Sequence, residues 1–142
     1  MYVYKLTTDN GGAPCVHKKL LSLAICKPSI RRTAGEDDWI FGFGGQDLQG
    51  RLIYIARVTK TVPNRSYYED ESYRGRPDRI YCRNGAELVL SNGANYHYES
   101  DQRKRDIGEP PWYRNAVVLL SADFRYFGRN GTAAYREKFR AV

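Results

Sequence analysis

The sequence is poor in the residues from which covalently or metal-stapled folds are built. Its three cysteines, Cys15, Cys26 and Cys82, are an odd number, so they make no complete disulfide framework and fit a reducing compartment, with the cytoplasm as the expected location. Those cysteines and the two histidines, His17 and His97, match no zinc finger or ribbon spacing, and no metal site is expected. Nothing in the sequence brings either histidine to a cysteine as a nucleophile with its base. No run approaches the ~18 apolar residues of a membrane span, and there is neither an internal repeat nor a low-complexity tract. The opening "MYVYKLTTDN" lacks the basic start and apolar run of an export signal. "KKLLSLAIC" imitates a lipoprotein signal, but its apolar stretch is short and Ile25 is too large for the position before the cysteine.

What is present is a folding composition with a positive bias. Hydrophobic residues at 42% and charged residues at 27% separate the chain from disordered sequences. Its 142 residues suffice for one core without staples, so residues 1–142 are read as a single domain. The formal charge is +7, and of 23 basic residues 16 are arginine and 7 lysine. Arginine grips phosphate bidentately and stacks on bases, which favours an anionic partner such as nucleic acid or a nucleotide.

Pattern along the chain indicates a β-rich α+β fold. "MYVYKLT" alternates as an opening strand and "DNGGAP" stops it. "KKLLSLAI" is too short to separate helix from strand. "DWIFGFG" places Trp39, Phe41 and Phe43 on one strand face. After the loop "GQDLQG" the run "RLIYIARVT" is apolar on both faces, and the two strands make a hairpin in a barrel or covered sheet. Residues 63–83 read as an irregular or part-helical excursion crowded with tyrosine, arginine and acids. Residues 91–111 are polar and turn-rich, the segment expected to be mobile. "NAVVLLS" is a buried strand followed at once by "DFRYFG". The tail "TAAYREKFRAV" suits a helix capped by Thr132, with Tyr135 and Phe139 on one face.

Several groups carry chemistry. Lys27, Arg31 and Arg32 lie in a stretch with no acid between residues 18 and 35, and Pro28 is expected to hold Cys26 and Lys27 extended. That loop reads either as a phosphate contact or as a solvated face. "GFGG" lacks the helix and Lys-Ser/Thr of a phosphate loop and reads as a turn, and no cofactor motif is found. Asp37 and Asp38 are adjacent, face opposite ways on a strand and make no acid/base pair. Tyr67, Tyr68, Tyr73, Arg74, Arg76, Arg79 and Tyr81 suit base stacking with phosphate neutralisation, or equally a core-and-rim segment balanced by Glu69, Asp70, Glu71 and Asp78.

Blocks in order, "DNGGAP", "LAICKPSIRRTAGEDDWIFGFGG", "RLIYIARVTK", "SYYEDESYRGRPDRIYC" and "VVLLSADFRYFG", resemble the nucleotide modification associated domain of the second type, a bacterial and phage family, over residues 9–128. The resemblance implies association with DNA base modification or defence, without a settled reaction. A wider likeness of pattern is to PUA-like barrels such as the ASCH, EVE and YTH domains, several of which hold a nucleobase in an aromatic pocket. "GEDDW" departs from the bare Gly-Asp usual there, and fold-level likeness is analogy.

The expectation is therefore a small PUA-like β-barrel with short flanking helices that binds DNA, a nucleotide or a modified base. Lys27, Arg31, Arg32 and Arg79 would meet phosphate, Trp39, Tyr67, Tyr68 and Tyr81 would stack, and Asp123 with Tyr126 would reach a base edge. Trp39 equally suits the core. The alternatives are an enzyme acting on a base or nucleotide through Asp9, Cys26 or Asp123, and a phage factor that binds a host protein. The sequence leaves the oligomeric state open.

Overall fold

Period-two apolar patterning and β-branched runs place six of the ten described strands within residues 1–62. In the computed structural model, which describes residues 1–63, 65–97 and 99–140, the strands are β1 (Tyr2–Leu6), β2 (Cys15–His17), β3 (Leu20–Leu23), β4 (Trp39–Gly44), β5 (Leu52–Arg57), β6 (Lys60–Val62), β7 (Tyr81–Asn84), β8 (Glu87–Leu90), β9 (Val118–Ser121) and β10 (Asp123–Tyr126). The helices are short: α1 (Pro28–Thr33), α2 (Ser66–Glu69), α3 (Ser100–Ile107) and α4 (Tyr135–Arg140). One sheet has the order β1-β4-β5-β10, a second β2-β3-β9-β6, and β7 pairs with β8 alone. Among the described residues no helix is long and apolar enough to cross a membrane.

The fold is β-rich α+β, as the patterning indicated. It differs from the expected barrel: among the described residues the two four-stranded ladders stay separate and none closes a ring. Two of the chain's changes of sheet, β5 to β6 and β9 to β10, meet at one corner. There Ser121 Oγ donates to the Arg57 carbonyl at 2.6 Å and the Thr59 amide to the Leu120 carbonyl at 2.8 Å. Corners of this kind let one strand serve two layers.

The β2-β3-β9-β6 sheet is apolar on both faces, which is why "VVLLS" has no polar alternation. Leu21, Leu23 and Leu119 join Tyr4, Ile40, Ile53 and Tyr54 in one core, whereas Val62, Val118 and Leu120 join Tyr67, Tyr68, Ile80 and Tyr81 in another. The part of the excursion over residues 65–83 is thus a layer of tyrosines over the far face. "KKLLSLAI" resolves as strand β3, because Leu21 and Leu23 face one core while Ser22 faces the other way. Thr132 Oγ1 accepts the Ala134 amide at 3.1 Å just ahead of α4, in the manner of a cap, and its backbone is not in a free loop. It is bridged to Leu52, with N to O distances of 2.8 and 2.9 Å. The side chain of Phe139 lies outside the described residues.

Glycine in "GFGG" has a packing reason. A Cβ at Gly42 would fall 2.3 Å from Tyr54 Cε1 and 2.9 Å from Leu6 Cδ1, and Tyr54 is fully buried, so neither ring nor strand can yield. Gly42→Ala should cost about 1–3 kcal/mol as overpacking, measured by urea denaturation. An unchanged midpoint would show that the Tyr54 ring moves freely.

Candidate active site

Most of the stacking and phosphate-binding candidates are inside the protein. Tyr67, Tyr68 and Tyr81 are buried, and their rings meet one another edge-on or, for Tyr67 and Tyr73, stacked at 4.9 Å. They are core, so the expected aromatic recess is sealed. Arg76 is buried too and ties the excursion to the β2-β3 hairpin. It donates to the carbonyls of His17 and Leu20 and to Ser22 Oγ, beside the fully buried Asp78 that accepts from Tyr67 and Ser22. Burial raises the Asp78 pKa against those hydrogen bonds and the Arg76 charge. Arg79 donates to the Tyr68 carbonyl at 2.7 Å and is mostly covered.

Arg31 corrects the phosphate reading most sharply. It is 0% exposed, and every one of its N–H groups has an acceptor: the carbonyls of Cys26, Asn115, Val117 and Asp106, and Asp106 Oδ1 at 2.6 Å. Five donors in a fixed fork match this cage. Nor is the preceding loop extended: Cys26 and Lys27 have φ of 60° and 48°, and Pro28 opens α1. Lys27 Nζ donates to the Lys5 carbonyl and sits 4.9 Å over the Tyr4 ring. Arg32 is exposed.

The same turn delivers a thiol to an imidazole. Cys26 is exposed, and its Sγ is 3.6 Å from His97 Nε2. On the other side of the ring Nδ1 lies 3.0 Å from Asp106 Oδ2 and 2.9 Å from the Tyr81 hydroxyl. The ring nitrogens face different partners, so the three groups form a relay and do not converge on one point. Asp106 comes from α3 and is buried. Its Oδ1 also accepts the Cys26 amide at 2.8 Å and its Oδ2 the Tyr81 hydroxyl at 2.9 Å. One carboxylate therefore fixes sulfur backbone, imidazole, phenol and guanidinium together, using its full acceptor capacity.

Electrostatics follow from this hub. Burial opposes a charge on His97, but the hydrogen bond and charge of Asp106, with Cys26 beside it, outweigh burial and hold the imidazole up at about 9. His97 is then an imidazolium at neutral pH, donating Nδ1–H to Asp106 and Nε2–H towards Sγ. Burial, then the Asp106 charge, pushes Tyr81 far up, so it stays a donor. Three of the non-glycine residues with positive φ, Cys26, Lys27 and His97, meet here. Backbone strain of this kind is often held at functional sites. A cleft of about 250 Å³ opens over the thiol, lined by Cys26, Pro28, His97, Gln102, Arg105 and Asp106. Gln102, Arg105 and Asp106 share one face of α3.

The other candidates do not assemble. Asp123 is paired with Arg57 at 2.8 Å on the outer face of its sheet, whereas the Tyr126 hydroxyl bonds the buried Asp9 carboxylate elsewhere. Burial, then the bond to Asp9, raises the Tyr126 pKa. Asp123 and Tyr126 are three apart on a strand and point to opposite faces. Trp39 is 42% exposed and is not core.

His97 and Asp106 were missed because both lie in the polar stretch 91–111, where α3 has no apolar period to announce it. The available signal was the cationic run over residues 18–35: a buried arginine there needs a carboxylate from elsewhere, though the sequence does not say which. No curated protein and no solved structure matches the chain. A family model described as nucleotide modification associated domain 2 matches residues 1–137, and on that match the chain belongs to the nucleotide modification associated domain 2 family.

Proposed function

We propose that this protein is an enzyme acting on a nucleotide or nucleobase with Cys26 as nucleophile, in the setting of phage or bacterial DNA base modification or defence. The observation that carries the reading is the Sγ–imidazole–carboxylate relay at 3.6 and 3.0 Å under an open cleft. The family name supports the substrate class. In the reaction, Cys26 reacts as the thiolate beside protonated His97: its sulfur attacks an electrophilic carbon of the base or its substituent, and a C–S bond forms as the bond from that carbon to the departing group breaks. His97 Nε2 gives its proton to the departing group. Water or an amine then displaces the sulfur, and His97 takes the proton of that second nucleophile. Asp106 keeps the ring oriented and stabilises its charged form, as a buried carboxylate does behind a catalytic histidine. Arg105 at the rim has the charge to meet a phosphate.

The test is incubation with canonical and modified nucleotides and short DNA, followed by mass spectrometry of protein and nucleotide. A covalent adduct at Cys26 or a mass-shifted product is expected, with both lost in Cys26→Ser and turnover falling about 10²-fold or more in His97→Ala. Product formed equally well by Cys26→Ser would remove the thiol from the chemistry.

A further inference from the structure

We propose that the open face of the β1-β4-β5-β10 sheet binds single-stranded nucleic acid, with bases stacking on Trp39 and Phe41 and phosphates meeting Lys5 and Arg125. This surface is independent of Cys26. Strand alternation sends Ile40, Gly42 and Gly44 to the core and Trp39, Phe41 and Phe43 outward. Register sets Val3 and Ile55 beside Phe41, Arg57 beside Trp39, and Arg125 beside Ile55. Phe43 is covered by the Tyr135 ring at 5.3 Å, which leaves Trp39 and Phe41 as neighbouring rings with cations at both edges of the sheet. Val3 is 58% exposed and Trp39 42%, unusual for such side chains on a covered sheet. An open trough of about 430 Å³ runs along Trp39, Ile55, Asp123, Phe124 and Arg125, room for an aromatic base.

Charge selects the occupant. The two acids on this face, Asp37 and Asp123, are both tied to Arg57, at 2.7 and 2.8 Å. Lys5 and Arg125 are exposed and, among the described residues, form no salt bridge. The whole chain carries +7, so a polyanion is drawn to a face that also offers rings. Outward residues two apart on a strand stand about 6.8 Å apart, which lets neighbouring unstacked bases take neighbouring rings. A duplex has its bases covered and gains nothing from Trp39, so sequence-tolerant stacking on a single strand is the mode that fits.

Fluorescence anisotropy with labelled dT and rU oligomers, and with a duplex of the same length, tests this over a range of salt. Single strands of either sugar should bind more tightly than the duplex. Trp39→Ala should weaken single-strand binding about tenfold or more, and Arg125→Ala should reduce the salt slope by about 0.7. Both side chains are exposed, so thermal melts of the variants should match the parent protein and separate lost binding from lost folding. Cys26→Ser should keep its strand affinity, so failure of the chemistry and failure of this surface are distinguishable. Unchanged affinity in Trp39→Ala, preference for the duplex, or a dimer in sedimentation that Trp39→Ala dissolves would each overturn the proposal, the last by giving the face to a second copy of the chain.

Discussion

Arg31→Ala should remove about 3–5 kcal/mol of folding stability, enough to lower the melting temperature by on the order of 10 °C. The magnitude follows from what is left behind. Asp106 is 3% exposed and would lose the partner at 2.6 Å that neutralises it, while four carbonyls would lose a charged donor. A buried ion pair is weak evidence for net stabilisation, but breaking one side of it strands the other charge. Arg31→Lys should be intermediate at best, since one ammonium cannot reach acceptors laid out for a planar fork. The neighbouring Arg32→Ala, at an exposed position, should stay within about 0.5 kcal/mol of the parent protein. Equal small effects at Arg31 and Arg32 would show that the cage is not formed and that both arginines are surface. The measurement is urea denaturation of the three variants side by side.

That contrast explains which parts of the molecule were readable from sequence. The β4-β5 hairpin was legible because its signal is local: alternation in "DWIFGFG", a turn-rich loop, then a run apolar on both faces. β9 was legible for the same reason. Arg31 and Arg32 are neighbours of one type, and nothing local distinguishes the arginine whose carboxylate lies 75 positions away from the one in solvent. Tyr67, Tyr68 and Tyr81 suited either stacking or core, and the second apolar face of the β2-β3-β9-β6 sheet decided for core. Trp39 was open in the same way and was decided the other way, because β4 gives isoleucine and glycine to the core and turns Trp39 to the opposite, exposed side. The candidate site was half visible. Cys26 stood out before a proline in a cationic loop, whereas His97 and Asp106 sit in a stretch whose helix carries one buried apolar residue, Ile107.

His97→Gln should abolish the special reactivity of Cys26, and the protein holds its own reference. Cys26 and Cys82 are both exposed, but among the described residues only Cys26 has an imidazole beside its sulfur. The His97 ring beside the sulfur sets Cys26 apart as a nucleophile, so iodoacetamide should label it about tenfold or more faster than Cys82. In His97→Gln the two rates should converge, and in Asp106→Asn the Cys26 rate should fall as well, because the imidazole loses the carboxylate that orients and charges it. A purely structural His97 would leave the ratio of the two rates unchanged. The same residue links folding to pH. Its value rises from 6.5 to about 9 on folding, so between those limits the native state holds a proton that the unfolded chain has released. Stability from this source is complete below pH 6.5 and is lost as the pH climbs through about 9. The groups facing His97 are Cys26, Tyr81 and Asp106, with Arg31 behind the carboxylate and Arg105 at the rim of the cleft. Denaturation midpoints of the parent protein should therefore fall between pH 6.5 and 9 more steeply than those of His97→Gln. Parallel pH profiles would show that the imidazole carries no extra proton in the folded protein, and the relay would then lack the charge on which the proposed chemistry depends.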